Sequence, residues 1–220
     1  MNETGTFLSD ALVFLPVLLK GLGMTLLLTV CALVTSIALG LIWALLGASR
    51  YVLLRTISNA IINTVRGIPI IVQLFYVYFV LPELGINLEP FVAGVLGLGL
   101  AYSVYQAENF RAGFQAIDPA LIEAGLAMGM SDRLVMRRII LPLGIRVALP
   151  PFGNTTVMLL KDSSIASTIT IAELTRAGQL LAIATFKDGT VYTLIALLYL
   201  LASLPLAGAV RMLERRMARR

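Results

Sequence analysis

The sequence predicts an all-helical polytopic membrane protein with about five transmembrane helices, and three observations carry that prediction. Of the 220 residues, 59% are hydrophobic and only 13% are charged, about half the charged share of an ordinary soluble domain. The apolar residues run in segments of roughly 20, the length at which a helix crosses a bilayer core. The basic residues collect at one end of each segment, as cytoplasmic flanks do.

Each element follows from these patterns in turn. The opening MNETGTFLSD holds two acids and no base, unlike the basic start of a secretory signal peptide. A first span over about 20–47 is followed by Arg50 and Arg55, so it runs from outside to inside. The second covers about 57–81 and leads into the loop PELGINLEP, whose Glu83 and Glu89 without a base suit the outer side. The third, about 90–110, returns inward to Arg111, and a charged loop over about 112–146 comes next. The fourth starts after Pro150-Pro151, prolines being suited to a helix start, and runs outward through NTTVMLLKDSSIAS. Residues 166–188, with Glu173, Arg176 and Lys187, read as a short helix and loop on the outer side. The fifth span, about 190–210, ends in RMLERRMARR.

With Arg66 counted near the inner surface, 13 of 17 basic residues fall on the cytoplasmic side. The N-terminus is therefore expected outside and the C-terminus in the cytoplasm. Five spans and their loops use the whole length, so one transmembrane domain over 1–220 is expected, with no second soluble domain.

Composition also narrows the chemistry. There is no histidine, which removes the commonest general base and metal ligand. The single Cys31 lies in an apolar segment and reads as a small hydrophobe. No catalytic residue and no metal site is expected, and an intramembrane enzyme would need clustered acids or histidines that the chain lacks. The net charge of +5 is distributed by membrane side, so no nucleic-acid partner is expected. A phosphate-binding loop needs a lysine after glycine, yet none of Lys20, Lys161 and Lys187 follows one. GLGLAY at 97–102 reads as close helix packing rather than a dinucleotide site.

The charged loop is the outlier. EAGLAMGMSDRLVMRRIILP, residues 123–142, suggests two short helices. Pro119 suits the first turn of one, which ends near Met128 with Gly129 as its cap. Ser131 suits the N-cap of the next, with Asp132 in its first turn complementing the helix dipole, and Pro142 is expected to end it. A helical hairpin projecting from a membrane protein is a plug that needs a socket on a soluble partner.

This stretch resembles the EAA motif of ABC importer permeases: Glu-Ala-Ala, three residues, Gly, nine residues, Ile, one residue, Leu-Pro. Glu123, Ala124 and Gly125 stand at the triplet, Gly129 at the glycine, Ile139 at the isoleucine and Leu141-Pro142 at the close. Gly125 departs from the third alanine; it lowers helix propensity by up to about 1 kcal/mol but keeps the small size. VRGIPIIVQLFYVYFVLP (65–82), AYSVYQAENFRAGFQAI (101–117) and LLKDSSIAS (159–167) are similar to the RGTPLLVQ, AY…AE..R.G and KDTSL segments of polar amino-acid permeases. With the 123–142 stretch these cover nearly a third of the chain, in the family's order. Ala120-Leu121 replace the Gly-Gln that many members carry before the motif, which marks a divergent member.

The resemblance implies a type I importer fold and a set of partners. The hairpin would be a coupling helix seated in a cleft of an ATP-binding subunit, with Glu123, Ala124, Gly125, Gly129, Ser131 and Asp132 forming the contact. ATPase closure would switch the permease between inward- and outward-open states. It also implies a second permease (the same or a similar chain), an extracytoplasmic substrate-binding protein and an amino-acid substrate. No cofactor is expected in this chain, with ATP and Mg on the partner ATPase, in a bacterial inner membrane.

Residues inside spans suggest a pathway. Thr155, Met158 and Asp162, at i, i+3 and i+7, share one helix face. Pro69 and Gln73, four apart, share another, and a proline there frees backbone groups to line a cavity. These faces are expected to meet near mid-membrane and bind substrate. Asp162 suits a substrate or gate role, or a structural pair with Lys161, Arg176 or another buried base. Gln73 and Thr155 suit substrate contact or ordinary interhelical hydrogen bonds. A single acid on the Thr155 face favours a neutral or acidic polar amino acid, or a similar zwitterion, over a cation. Arg66, Glu108 and Arg111 read as a gate-forming or structural network near the inner surface. Two other readings compete: a secondary transporter driven by an ion gradient, against which the lack of an inverted repeat argues, and a non-substrate-binding half of a heterodimeric permease.

Overall fold

The computed structural model describes residues 3–218, with side chains described over 7–216; Met1, Asn2, Arg219 and Arg220 of the two terminal runs lie outside it. The described residues form helices joined by short turns, in the order α1 (Glu3–Gly47), α2 (Val52–Gly67), α3 (Ile70–Phe75), α4 (Pro90–Gln115), α5 (Pro119–Ala127), α6 (Asp132–Val135), α7 (Leu141–Asp162), α8 (Leu174–Thr185) and α9 (Asp188–Ala218). A π turn (Tyr76–Val80) and a 3-10 turn (Leu81–Leu84) extend α3, a π turn (Met136–Ile140) joins α6 to α7, and a 3-10 turn (Ser163–Ile169) follows α7.

Among the described residues, three helices, Phe7–Gly47, Pro90–Gln115 and Asp188–Arg216, are long and apolar enough to cross a membrane. The pair Val52–Gly67 and Ile70–Leu84 makes a fourth crossing only as a bent unit, because its halves meet at 104°. At 22 residues, α7 is about 33 Å long, enough for a bilayer core, but Asn154, Thr155, Lys161 and Asp162 make it polar. A helix of that kind must turn its polar face to protein or water rather than lipid.

Several expected boundaries are corrected. The first helix starts at Glu3 rather than near residue 20, and carries Pro16 inside it. Its N-terminal part is held by neighbours: Phe14 and Leu18 pack in one buried cluster with Leu174 and Ala182 of α8 and Val191, Leu194, Ile195 and Leu198 of α9. The second span is not one rod, because Ile68 and Pro69 are extended; residues before proline disfavour the helical region. The third helix extends to Gln115. The fourth begins at Leu141 and passes through Pro150-Pro151 rather than starting after them, and Pro142 opens α7 rather than ending its predecessor. The Leu141 amide bonds to the Met136 carbonyl, five residues back. That wide turn removes the fixed i−4 carbonyl contact that a proline ring would otherwise meet.

The core sits where α4 runs between α1, α3 and α7. Leu28 and Ala32 of α1, Leu74 of α3, Leu98, Ala101 and Tyr102 of α4 and Leu159 of α7 bury together. Small residues set the approach. A Cβ on Gly40 would fall 2.6 Å from Gln106 Cβ, and one on Gly99 would fall 2.6 Å from Thr35. Gly97 likewise abuts Leu74, so the GLGLAY stretch is helix packing. A Cβ on Gly113 would land on the Gly144 backbone carbonyl where α4 crosses α7.

This geometry separates two glycines. Gly113→Ala forces α4 from α7 and is expected to destabilise by about 1–3 kcal/mol, the range for overpacking. Gly125→Ala meets only the tip of Ile139, at 2.8 Å, with Val135 next at 3.3 Å. It gains helix propensity of up to about 1 kcal/mol and is expected to be neutral or mildly stabilising. Thermal unfolding of the two variants in detergent checks the contrast; equal effects would refute it.

Candidate functional site

The charged loop folds as the hairpin that its residues suggest. Asp118 caps α5, its Oδ1 accepting from the Ala120 amide at 2.9 Å, and Pro119 follows at the first helical position. Gly129, at φ +81°, ends the helix. The Gly129 amide donates to Leu126 O (2.9 Å) and the Met130 amide to Gly125 O (3.1 Å), the paired bonds of a left-handed glycine cap. Ser131 stands at the N-cap of α6, but its side chain makes no capping bond; its carbonyl instead accepts from the Leu134 and Val135 amides. Gly125 is buried between the two arms, against Ile139 and Val135. That contact explains why a side chain no larger than a methyl group belongs there.

The other face of the hairpin is unpartnered in the monomer. Glu123, Ala124, Gly129, Ser131 and Asp132 are all exposed, and so are Leu121, Leu126, Met136 and Met128, the last at 75%. Apolar side chains mixed with charges on a small projecting unit are the kind of surface that protein docking sites present.

The second candidate region is the seam between α4 and α7, which run antiparallel. Tyr102 Oη donates to Asp162 Oδ2 at 2.6 Å. Two turns further along α4, Asn109 Nδ2 donates to Thr155 Oγ1 at 3.1 Å and to Gln106 Oε1 at 3.0 Å. Thr155 Oγ1 in turn donates to the Pro151 carbonyl at 2.8 Å. Thr155 and Asp162 therefore lie on one helix face and both meet α4. Met158 lies beside them, 53% exposed, at the open edge of the seam. Asp162 accepts from a tyrosine; among the described residues it forms no ion pair with Lys161 or Arg176.

Pro69 and Gln73 do a different job at the break between α2 and α3. Pro69 is the exposed N-cap of α3. Gln73 is buried, and its Nε2 donates to the carbonyls of Val65 and Ile68, each at 2.8 Å. The break frees backbone groups as expected, and Gln73 satisfies them, which holds the 104° bend. Two buried side-chain atoms among the described residues lack a partner, Gln73 Oε1 and Gln106 Nε2.

Arg66, Glu108 and Arg111 come together. Arg111 Nε donates to Glu108 Oε2 at 2.9 Å, Arg66 lies 3.6 Å from Glu108 Oε1, and the Arg66 guanidinium stands 5.9 Å from the Tyr105 ring centre. Glu108 and Arg111 also border a cavity of about 290 Å³ with Trp43, Arg55 and Asn59.

Sequence reasoning missed Tyr102, Asn109 and Glu173. The first two acquire their roles from α7, dozens of residues away, so no local pattern could reveal them. Glu173, which the sequence places in a short outer-side helix and loop, is fully buried. It caps α8 by accepting from the Thr175 (3.0 Å) and Arg176 (2.7 Å) amides, and also takes hydrogens from Tyr199 (2.8 Å) and Thr25 (3.4 Å). Burial raises its carboxyl pKa above the usual value, while those two amides pull the other way. Its position before a helix is a capping signal that could have been read.

A bundle of apolar helices with a polar seam inside and an exposed helical hairpin at one end is the architecture of a membrane transport subunit. The family model described as "Binding-protein-dependent transport system inner membrane component" matches residues 36–219. The chain is 35% identical over 205 residues to the glutamine transport system permease protein GlnP of Escherichia coli K12, covering 92% of this chain and 94% of that one. It is 36% identical over 166 residues to the L-cystine transport system permease protein TcyB of Bacillus subtilis 168, covering 76% and 71%. A crystal structure of an amino acid ABC transporter with histidines superposes with a TM-score of 0.89 at 36% identity, covering 96% and 98%. An inward-facing methionine ABC transporter shares the fold at a TM-score of 0.71 and 19% identity, covering 99% of both chains. The chain belongs to the binding-protein-dependent inner-membrane transport components, and is the multi-pass membrane subunit of an ABC importer.

Proposed function

We propose that this chain imports polar amino acids or related zwitterions as a permease dimer, with itself or with a similar chain. The dimer works with two ATP-binding subunits that hold ATP and Mg, and with an extracytoplasmic substrate-binding protein. The N-terminus lies outside and the C-terminus in the cytoplasm. The observation that carries the reading is the hairpin of α5 and α6: packed internally through Gly125, it leaves Glu123, Ser131 and Asp132 exposed beside Leu126, Met128 and Met136. A rigid unit of this kind transmits movement of a docked ATPase to α4 and α7, the helices on either side of it. Those two helices also form the seam, so ATPase closure shifts the surface that would hold substrate. Asp162 at one end supplies the anion for an α-ammonium, and Arg66, Glu108 and Arg111 gate the inner end. The amino-acid permeases to which the chain is similar support this substrate class.

The test is uptake of a panel of labelled amino acids into proteoliposomes containing the permease, its ATPase and its binding protein. Uptake is expected to require ATP and to be indifferent to imposed proton or sodium gradients. Uptake driven by a gradient without ATP would overturn the reading in favour of a secondary transporter.

A further inference from the structure

The α4–α7 seam has two polar rungs, and their hydrogen-bond inventories differ. At the inner rung, Thr155 has one hydroxyl proton, committed to the Pro151 carbonyl at 2.8 Å. Its Oγ1 can therefore only accept from Asn109, which means that Asn109 turns its NH2 toward Thr155. The second hydrogen of that nitrogen goes to Gln106 Oε1 at 3.0 Å. Asn109 thus has no proton left to give. Its Oδ1 has no partner among the described residues, and the residue is half-buried beside Tyr105, which is exposed. The inner rung is uncharged; its one unpartnered donor, Gln106 Nε2, is fully buried, so what the rung turns toward a ligand is an acceptor. The neighbouring Glu108 is already held by Arg111 and Arg66, so it lends the rung no free charge.

At the outer rung Asp162 gives one oxygen to Tyr102 and keeps the other. Seven residues separate the rungs on each helix, about 10 Å at 1.5 Å per residue. Two hydrogen bonds of about 2.9 Å leave roughly 5 Å between an α-ammonium nitrogen on Asp162 and a side-chain donor on Asn109. A carboxamide side chain spans that distance.

We infer that Asn109 is a specificity-determining residue: with Thr155 it makes the inner rung a neutral acceptor that selects uncharged amino acids bearing a side-chain N–H donor. This rests on the substrate seam proposed above and narrows it. A side-chain carboxylate brings only lone pairs to a rung whose accessible side has only lone pairs, with Gln106 Nε2 buried behind it, and leaves both unsatisfied. A side-chain ammonium donates, but brings a second cation to a rung without an anion. Neutral carboxamides are accepted and acidic side chains are excluded.

Calorimetric titration of L-glutamine, L-glutamate and L-lysine into the purified permease–ATPase complex in nanodiscs tests this. The wild-type complex is expected to bind glutamine at least tenfold more tightly than glutamate or lysine. Asn109→Asp should shift the lysine-to-glutamine ratio of affinities at least tenfold toward lysine, and Asn109→Leu should erase the preference for glutamine over glutamate. Size-exclusion chromatography establishes assembly of each variant; if the aspartate variant does not assemble, the leucine variant decides. Absence of glutamine binding, equal binding of glutamate, or variants that keep the wild-type ranking would overturn the inference. Asp162→Asn in the same assay separates the two levels. Loss of all binding there, with Asn109 variants unchanged, leaves the seam standing and removes only Asn109. Retained binding of every ligand in Asp162→Asn removes the seam itself, and this inference with it.

Discussion

Glu123→Arg is expected to abolish substrate-stimulated ATP hydrolysis in the assembled complex while leaving the permease folded. Glu123 sits on the outward face of α5, exposed, so its replacement disturbs no packing and should change stability by less than about 0.5 kcal/mol. The same exposure makes it available to a partner. Reversing its charge puts a like charge against whatever cation seats it. Coupling between sites typically amounts to about 1–3 kcal/mol, so its loss should lower stimulation by roughly 5- to 150-fold, toward the basal rate. Gln in place of Glu123 should give an intermediate loss, because it keeps the shape and removes only the charge. The measurement is ATPase activity in nanodiscs with saturating binding protein, with and without substrate. Unchanged stimulation in a complex of correct stoichiometry would mean that the hairpin transmits through its apolar face, Leu126, Met128 and Met136, and not through Glu123.

Asp162→Asn is expected to impair uptake nearly as severely, for a different reason. Asparagine keeps the shape and can still accept the Tyr102 hydrogen through its carbonyl oxygen, so the α4–α7 contact at 2.6 Å survives in kind. What disappears is the negative charge. A hydrogen bond to a charged group contributes about 1.5–3 kcal/mol, so apparent affinity for a zwitterion should fall roughly 10- to 150-fold. Tyr102→Phe is the comparison. It removes the bond and keeps the carboxylate, so uptake should fall less than about tenfold while thermal stability drops. If Asp162→Asn transported normally and Tyr102→Phe did not, Asp162 would be a structural residue, the alternative already open from its place inside a span.

The hairpin was legible because each of its signals is local. Pro119 at a first turn, Gly129 at a left-handed cap and Ser131 at a helix start act through the backbone within a few residues, and all three occupy those positions. The seam was half legible. The spacing of Thr155, Met158 and Asp162 placed them on one side of a helix, but could not reveal that Tyr102 and Asn109 lie opposite. For Gln73 the sequence leaves substrate contact and ordinary hydrogen bonding both open; its amide turns to the carbonyls of Val65 and Ile68 at the break. The prolines at 142, 150 and 151 misled for a related reason. A proline's cost depends on whether the carbonyl four residues back can move aside, and the π turn at Met136–Ile140 decides that for Pro142.

By itself the sequence determined the class of the protein: the lengths of the apolar segments follow from the bilayer, which acts on each segment independently. It determined the hairpin as well, through turn and cap chemistry. Only the tertiary structure decided which polar groups are spent and which remain free. Tyr102 occupies one oxygen of Asp162, Asn109 exhausts its protons on Thr155 and Gln106, and Glu173 is buried under Tyr199 and Thr25. The physical reason is that the bonds joining one span to another, Tyr102 to Asp162 and Asn109 to Thr155, need a particular partner helix, and which helix that is depends on how glycines such as Gly40, Gly99 and Gly113 let backbones approach.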